Sequence, residues 1–245
     1  MDDTTNSKFH PLPCMLTCAS LFCGFYSIIA SINGHFFAAA IAILVAAIFD
    51  GLDGRVARMT GTTSRFGKEL DSLCDLVSFG VAPALLAYLW ALTPYGRYGW
   101  LAAFLYVATT ALRLARFNTQ VPTPSSDFVG LPCPAAAMML AATVMFSRFL
   151  GATDTVKHLS ILLLVYILSY LMVSNHRYLS FKQLEIKKEK KFQIVVFILL
   201  FLILVATEPP VTLFVIAFVY ILSGPVLAIY KLLAKGKVAA KKKIS

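Results

Sequence analysis

Residues 49–81 read FDGLDGRVARMTGTTSRFGKELDSLCDLVSFGV, and this stretch decides what kind of protein the chain is. It sets Asp50, Asp53, Asp71 and Asp75 between two apolar runs, residues 35–49 before it and 76–92 within and after it. Both runs have the character of membrane-spanning helices. A carboxylate at the centre of such a helix costs roughly 2.5–3.5 kcal/mol on insertion scales, less near an interface. The cluster therefore needs compensation, from the nearby Arg55, Arg58, Arg65 and Lys68 or from bound cations.

The spacing favours cations. Asp50 and Asp53 are i, i+3 at the end of one helix, and Asp71 and Asp75 are i, i+4 at the start of the next. Each pair occupies one helical face. The short connection over residues 59–66 makes the two helices antiparallel neighbours, so the pairs face each other as a cage of carboxylate oxygens. No histidine or cysteine shares the spacing, although Cys74 is adjacent. Hard oxygen ligands point to magnesium, manganese or calcium. Gly54 removes a side chain where a ligand could approach the backbone, and Arg58, one turn on, suits a phosphate. Metal, arginine and close backbone approach are the equipment for displacement at phosphorus. Arg65 and Lys68 are better read as a solvated loop.

Composition agrees with a membrane protein. The 245 residues are 59% hydrophobic and only 14% charged, with a mean hydropathy of +0.78. A soluble globular domain does not have these values. The net charge of +10 sits in short connections and the tail, which fits membrane topology and anionic lipid and argues against a nucleic-acid partner. The five cysteines, Cys14, Cys18, Cys23, Cys74 and Cys133, read as small buried residues without disulfides. The start, MDDTTNSK, lacks the basic region of a secretory signal, so the first apolar run is expected to stay.

The expected fold is all-α: a polytopic membrane helical bundle of about eight transmembrane helices. The spans fall at about residues 11–32, from 35 into the acidic stretch, 70–92, 99–117, 131–149, 158–173, 192–206 and 211–233. Asn33-Gly34 makes a tight turn, and Pro83 bends the third span. Trp90, Tyr95, Tyr98 and Trp100 form an interfacial aromatic belt. Ala135–Ala137 allow close helix packing, and the basic segment after residue 173 lies along the headgroups. With eight spans, the lysines and arginines of residues 55–68, 113–116, 177–191 and the tail share one side. The positive-inside rule makes that side cytoplasmic, with both termini and the acidic cluster.

The pattern D-x2-D-G-x2-A-R-x8-G-x3-D-x3-D, carried by Asp50, Asp53, Gly54, Ala57, Arg58, Gly67, Asp71 and Asp75, resembles the signature of the CDP-alcohol phosphotransferases. These are integral membrane enzymes of phospholipid synthesis. The resemblance implies their fold, and two divalent cations, Mg or Mn with Ca possible, held by the four aspartates. It implies that Asp75 is also the base for the acceptor hydroxyl. Gly54, Ala57, Arg58, Ser64, Gly67, Pro13 and Thr17 would line CDP-diacylglycerol. Cys14 and Ser20 stand where related enzymes tend to carry asparagine.

Four further stretches, LDSLCDLVSFGVAPA, LRLARFN, FVGLPCPAAA and LMVSNHRYLSFK, are similar to the membrane-bound phosphatidylserine synthases. That likeness implies transfer of the phosphatidyl group from CDP-diacylglycerol to L-serine, releasing CMP. Arg113, Arg116 and Asn118 become candidates for serine, and Arg177 and Lys182 for lipid phosphate. It further implies a homodimer among membrane phospholipids, in the inner membrane of a cell. Residues 1–182 would be the catalytic core of about six helices, and 183–245 two additional helices with a lysine-rich tail. A sibling transferase using choline, glycerol 3-phosphate or inositol phosphate is the alternative, and a cation transporter is a distant one.

Overall fold

An apolar chain cut by short polar turns can satisfy its backbone groups in lipid by folding each run into a helix. The computed structural model describes residues 11–61, 65–119, 128–151, 159–175, 177–178 and 207–244. Within these, the side chains of residues 11, 12, 65, 128, 129, 177 and 228–244 fall outside the description. Apart from short turns, the described residues are helical but for one pair of two-residue strands. In order the elements are α1 (Pro11–Ile32), α2 (Phe36–Met59), α3 (Arg65–Asp75), α4 (Ala82–Ala87), α5 (Arg97–Thr119), β1 (Phe128–Val129), α6 (Cys133–Phe149), α7 (Leu159–Val173), β2 (Arg177–Tyr178) and α8 (Pro209–Ile244).

Four stretches are long and apolar enough to cross a membrane: Pro13–Ile32, Phe36–Met59, Phe66–Tyr95 and Pro209–Leu227. α6 and α7 are apolar but shorter. The expected span over residues 192–206 lies outside the described residues, as does most of the basic segment before it.

α1 explains why the bundle closes tightly. Its inner face carries Thr17, Ser20, Gly24, Ser27 and Ser31, all buried and spaced at three or four residues. Its outer face carries exposed Met15, Phe22, Phe25, Ile29 and Ile32. Small residues inside and large apolar ones outside is the arrangement of a helix packed among helices in lipid. α1 packs along most of α2 and also against α3 and α4. A Cβ on Gly24 would lie 2.7 Å from Ser78 Cα, so this crossing requires glycine. Ser78 Oγ donates to the Ser20 carbonyl at 3.1 Å, and Ser20 Oγ donates to the Ala46 carbonyl at 3.1 Å. The predicted turn is present: Gly34 has φ +77° and its N–H reaches the Ser31 carbonyl.

The neighbour relation of the acidic helices differs from expectation. α2 and α3 each pack more extensively on α1 than on each other. α1 props them apart, and their carboxylates face one another across the gap.

α3 does not end at Asp75. It passes through a π-helical turn at Leu76–Val81 into α4, and through a second at Tyr88–Leu92. Pro83 lies in the first turn of α4, directly after the first π turn. A proline inside a helix leaves a carbonyl one turn back without its N–H, and a π turn is one way the ladder accommodates this. The second π turn buries Trp90, Ala91 and Leu92 consecutively. Trp90 is only 5% exposed and belongs to the core, which corrects its place in the aromatic belt; Tyr98 and Trp100 are exposed as expected. Cys18 also departs from expectation. All five thiols are free, but Cys18 is exposed because it lies beside α1's inner face, not on it.

On the far side, α6, in which Ala135, Ala136 and Ala137 are all buried, packs against α2, and α5 packs on α7. Gly130, at φ +81°, lets the chain run close to the Met172 carbonyl, and the Leu131 N–H bonds the Leu171 carbonyl at 3.0 Å. β1 pairs antiparallel with β2. α8 rests on α6 and on Tyr178, which is fully buried with its hydroxyl on the Ile221 carbonyl. Charged and polar contacts separate by end. Arg148 stacks over Phe37 at one end, while Lys68 lies over Phe117 and Asn118 meets Ser72 at the other.

Candidate active site

The last three turns of α2 and the C-terminal half of α3 bring the expected carboxylates together. Oxygens of Asp50, Asp53 and Asp71 all lie within 4.8 Å of one another. Asp75 joins them through a side-chain hydrogen bond with Asp50. Asp53 is 6% exposed, and the other three are half-buried. Carboxylates this close repel one another strongly in a setting that screens poorly. No histidine or thiolate stands among the three clustered oxygens, so the donor set suits a hard, oxygen-seeking divalent cation.

The surroundings orient the cluster. Thr17 Oγ1 donates to Asp53 Oδ2 at 2.7 Å and lies 3.1 Å from the Pro13 carbonyl. Arg58 folds back along α2, so that a Cβ on Gly54 would lie 3.7 Å from its Nη1. That is ordinary contact, and Gly54 sits in a helix with no positive φ. The protein's own packing therefore does not require glycine there. Glycine inside a helix costs about 1 kcal/mol relative to alanine, so its presence points to something that approaches from outside. Ala57 and Gly67 are half-buried nearby in sequence. Ser64 lies outside the described residues.

The LRLARFN end of α5 reaches the same region but divides. Arg113 turns inward, with Nη1 on Cys133 Sγ at 3.5 Å. Asn118 Nδ2 donates to Ser72 Oγ at 2.9 Å, one residue from Asp71. Arg116 is exposed and donates to Asn175 Oδ1 at 3.0 Å, away from the carboxylates. The shared face expected for Arg113 and Arg116 thus straddles the edge of the bundle. Arg177 belongs to β2 opposite Val129, with its side chain outside the description, and Lys182 lies outside the described residues.

Sequence reasoning missed Ser72, Cys133 and Asn175. Ser72 had a signal, since a hydroxyl between two ligand-spaced aspartates lies beside both. Asn175 had none, because its partner Arg116 is 59 residues away.

A family model described as CDP-alcohol phosphatidyltransferase matches residues 10–166, which contain the whole acidic cluster. The chain belongs to the CDP-alcohol phosphatidyltransferase family. Among similar proteins, the CDP-diacylglycerol–serine O-phosphatidyltransferase of Helicobacter pylori (strain ATCC 700392 / 26695) is 40% identical over 218 residues, covering 86% of this chain and 88% of that protein. The protein of the same name from Bacillus subtilis (strain 168) is 36% identical, covering 70% of this chain and 92% of its own length. An archaetidylserine synthase of Methanothermobacter thermautotrophicus is 38% identical, covering 73% of each chain. Within this CDP-alcohol phosphatidyltransferase, Tyr178 and α8 lie beyond the matched segment.

Proposed function

We propose that the protein transfers the phosphatidyl group of CDP-diacylglycerol to the hydroxyl of L-serine, giving phosphatidylserine and CMP. The observation that carries this reading is the convergence of Asp50, Asp53 and Asp71 oxygens within 4.8 Å, in a chain whose similar proteins share serine in their names. Those relatives differ in lipid, diacylglycerol in one case and archaetidyl in another, and agree in the acceptor.

Asp50, Asp53, Asp71 and Asp75 would hold two divalent cations, magnesium or manganese. When bound, these supply positive charge to the pyrophosphate oxygens as the leaving group departs. Asp75 takes the proton of the serine hydroxyl as its oxygen forms the new bond to the lipid-linked phosphorus. The bond from that phosphorus to the CMP oxygen breaks, and CMP leaves. Arg58 holds a nucleotide phosphate, with Gly54, Ala57, Ser64 and Gly67 beside the nucleotide. Thr17, next to Pro13, fixes the Asp53 carboxylate. Arg113 and Asn118 would serve the acceptor, with Arg116, bonded to Asn175, at the edge of the bundle beside them, and Arg177 and Lys182 would meet lipid phosphate.

The same proposal places the chain in the inner membrane with about eight spans, both termini and the active site cytoplasmic, as a homodimer. Residues 1–182 form its core, and residues 183–245 add two helices.

The test is CMP release from CDP-diacylglycerol by purified protein with magnesium or manganese, with and without L-serine, with choline, glycerol 3-phosphate and inositol phosphate in parallel. Serine-dependent CMP with phosphatidylserine as lipid product supports the reading. Release driven only by another alcohol transfers the reading to a sibling acceptor.

A further inference from the structure

α8 lies beyond the segment that the family model matches, yet it is fitted to the bundle more closely than an anchor requires. Lipid supplies no hydrophobic force between helices, so a helix that only anchors needs no fixed register. α8 has one. Near its start Phe214 stacks on Phe146 of α6, with ring centroids 4.6 Å apart. Two turns on, the Ile221 carbonyl accepts a 3.4 Å hydrogen bond from Tyr178 Oη, and the Tyr220 ring meets the Tyr178 ring at 5.7 Å. Gly224 leaves no room for a Cβ against that same ring. Thr212, Ile221 and Gly224 are buried while Val215, Val219, Leu222 and Val226 are exposed. One face is committed to the protein and the other to lipid.

The fitted face is held at the acceptor side of the site. Tyr178 belongs to β2, which pairs with β1, and from β1 the chain runs through Gly130 to Cys133 at the start of α6. Cys133 Sγ accepts from Arg113 Nη1 at 3.5 Å. Tyr220, half-buried beside Tyr178, lies within electrostatic range of the Arg113 guanidinium. The start of α6 and the middle of α8 thus converge on one arginine of α5.

The chemistry around that arginine is selective. An arginine that is to receive an anion must be oriented without being neutralised. A carboxylate neighbour would orient it and cancel its charge. A thiol and a phenol are ordinarily uncharged at neutral pH, and each can accept a hydrogen bond from a guanidinium. Cys133 and Tyr220 are of that kind. Arg113 Nε is buried without a hydrogen-bond partner, so a donor is left over for a ligand.

We infer that Tyr220 is a positioning residue for the acceptor: α8 brings its hydroxyl to Arg113 and completes the acceptor side from beyond the matched family segment. This rests on the serine-transferase reading above, in which Arg113 serves the acceptor. It gives α8 a part in substrate selection as well as in membrane insertion.

Tyr220→Phe keeps the ring against Tyr178 and removes only the hydroxyl. In full-length protein with CDP-diacylglycerol and magnesium, it should raise KM for L-serine about tenfold, the equivalent of one hydrogen bond. The kcat at saturating serine, KM for CDP-diacylglycerol and the melting temperature should stay at wild-type values. Val219→Ala, on the lipid side of the same helix, should change none of these. Because Tyr220 acts through Arg113, the same change in an Arg113→Lys background should add less than about twofold. An unchanged KM for serine in Tyr220→Phe overturns the inference. A rise matched by one for CDP-diacylglycerol, or by a fall in melting temperature, overturns it too, since that is what a packing role gives. So does full additivity with Arg113→Lys. Wild-type protein without serine-dependent CMP release overturns the functional reading along with this one. Serine-dependent release with an unaltered Tyr220→Phe variant overturns this one alone.

Discussion

Thr17 on α1 donates a 2.7 Å hydrogen bond to Oδ2 of Asp53 on α2, the most deeply buried of the four carboxylates. The bond crosses between helices and fixes the carboxylate that clusters with Asp50 and Asp71. Thr17→Val keeps the shape and removes the donor. A hydrogen bond to a charged group is worth about 1.5–3 kcal/mol, so the variant should melt earlier and bind magnesium or manganese more weakly. Thr17→Ser should recover most of both. A valine variant with wild-type metal affinity by calorimetry would remove Thr17 from the site.

Gly54 offers a test in which stability and activity move in opposite directions. A Cβ there meets only Arg58, at ordinary contact distance. Gly54→Ala should therefore raise the melting temperature, by the equivalent of about 1 kcal/mol at most. CMP release should fall by an order of magnitude or more if the nucleotide packs against this backbone, as proposed. An alanine variant that is both stabler and fully active refutes contact at residue 54.

The proposed mechanism gives the carboxylates different roles. Asp75→Asn should leave the protein folded and able to gain thermal stability from added magnesium, while abolishing turnover. Asp50→Asn and Asp71→Asn should weaken that metal-induced stabilisation as well. Since each change also removes mutual repulsion among the half-buried acids, the metal-free variants should melt no earlier than wild type. CMP release by Asp75→Asn at the wild-type rate excludes it as the base.

Gly224 makes a purely structural prediction. A Cβ at this position would overlap the ring of Tyr178, which α8 covers. Gly224→Ala should cost about 1–3 kcal/mol as an overpacked contact. Gly51→Ala, where a Cβ meets nothing within 4 Å, is the matched control and should be neutral or slightly stabilising. Equal melting temperatures for the two variants would mean that α8 does not hold this position.

The sequence made the acidic site readable because its information is local. Spacings of three and four residues put Asp50 with Asp53 and Asp71 with Asp75 on single faces, and a short connection brought the faces together. The apolar runs marked most of the described helices for the same reason. Other features escaped because they depend on distant partners. Tyr178 meets Ile221 across 43 residues, and Arg116 meets Asn175 across 59. The parting of Arg113 and Arg116 depends on where the edge of the bundle falls, which no single helix records. The spacing of Thr17, Ser20, Gly24, Ser27 and Ser31 was visible, yet composition alone marks α1 as uniformly apolar. Trp90 was misplaced because it was grouped with its aromatic neighbours at the loop near Thr93, whereas the second π turn buries it in the core.

The π turn at Leu76–Val81 also sets a rotational phase between two working halves of one long helix. Upstream, Asp71 and Asp75 point at the acidic cluster. Within the turn itself, Ser78 bonds α1 and Gly80 packs on Thr110 of α5. Each residue of an α-helix turns the chain by about 100°. Forcing the same six residues into α-helical bonding would rotate Asp71 and Asp75 by about one residue's turn relative to Ser78 and Gly80, and so off the cluster. The π turn acts as a keyed joint, so a change harmless to insertion in the bilayer would disassemble the acidic face.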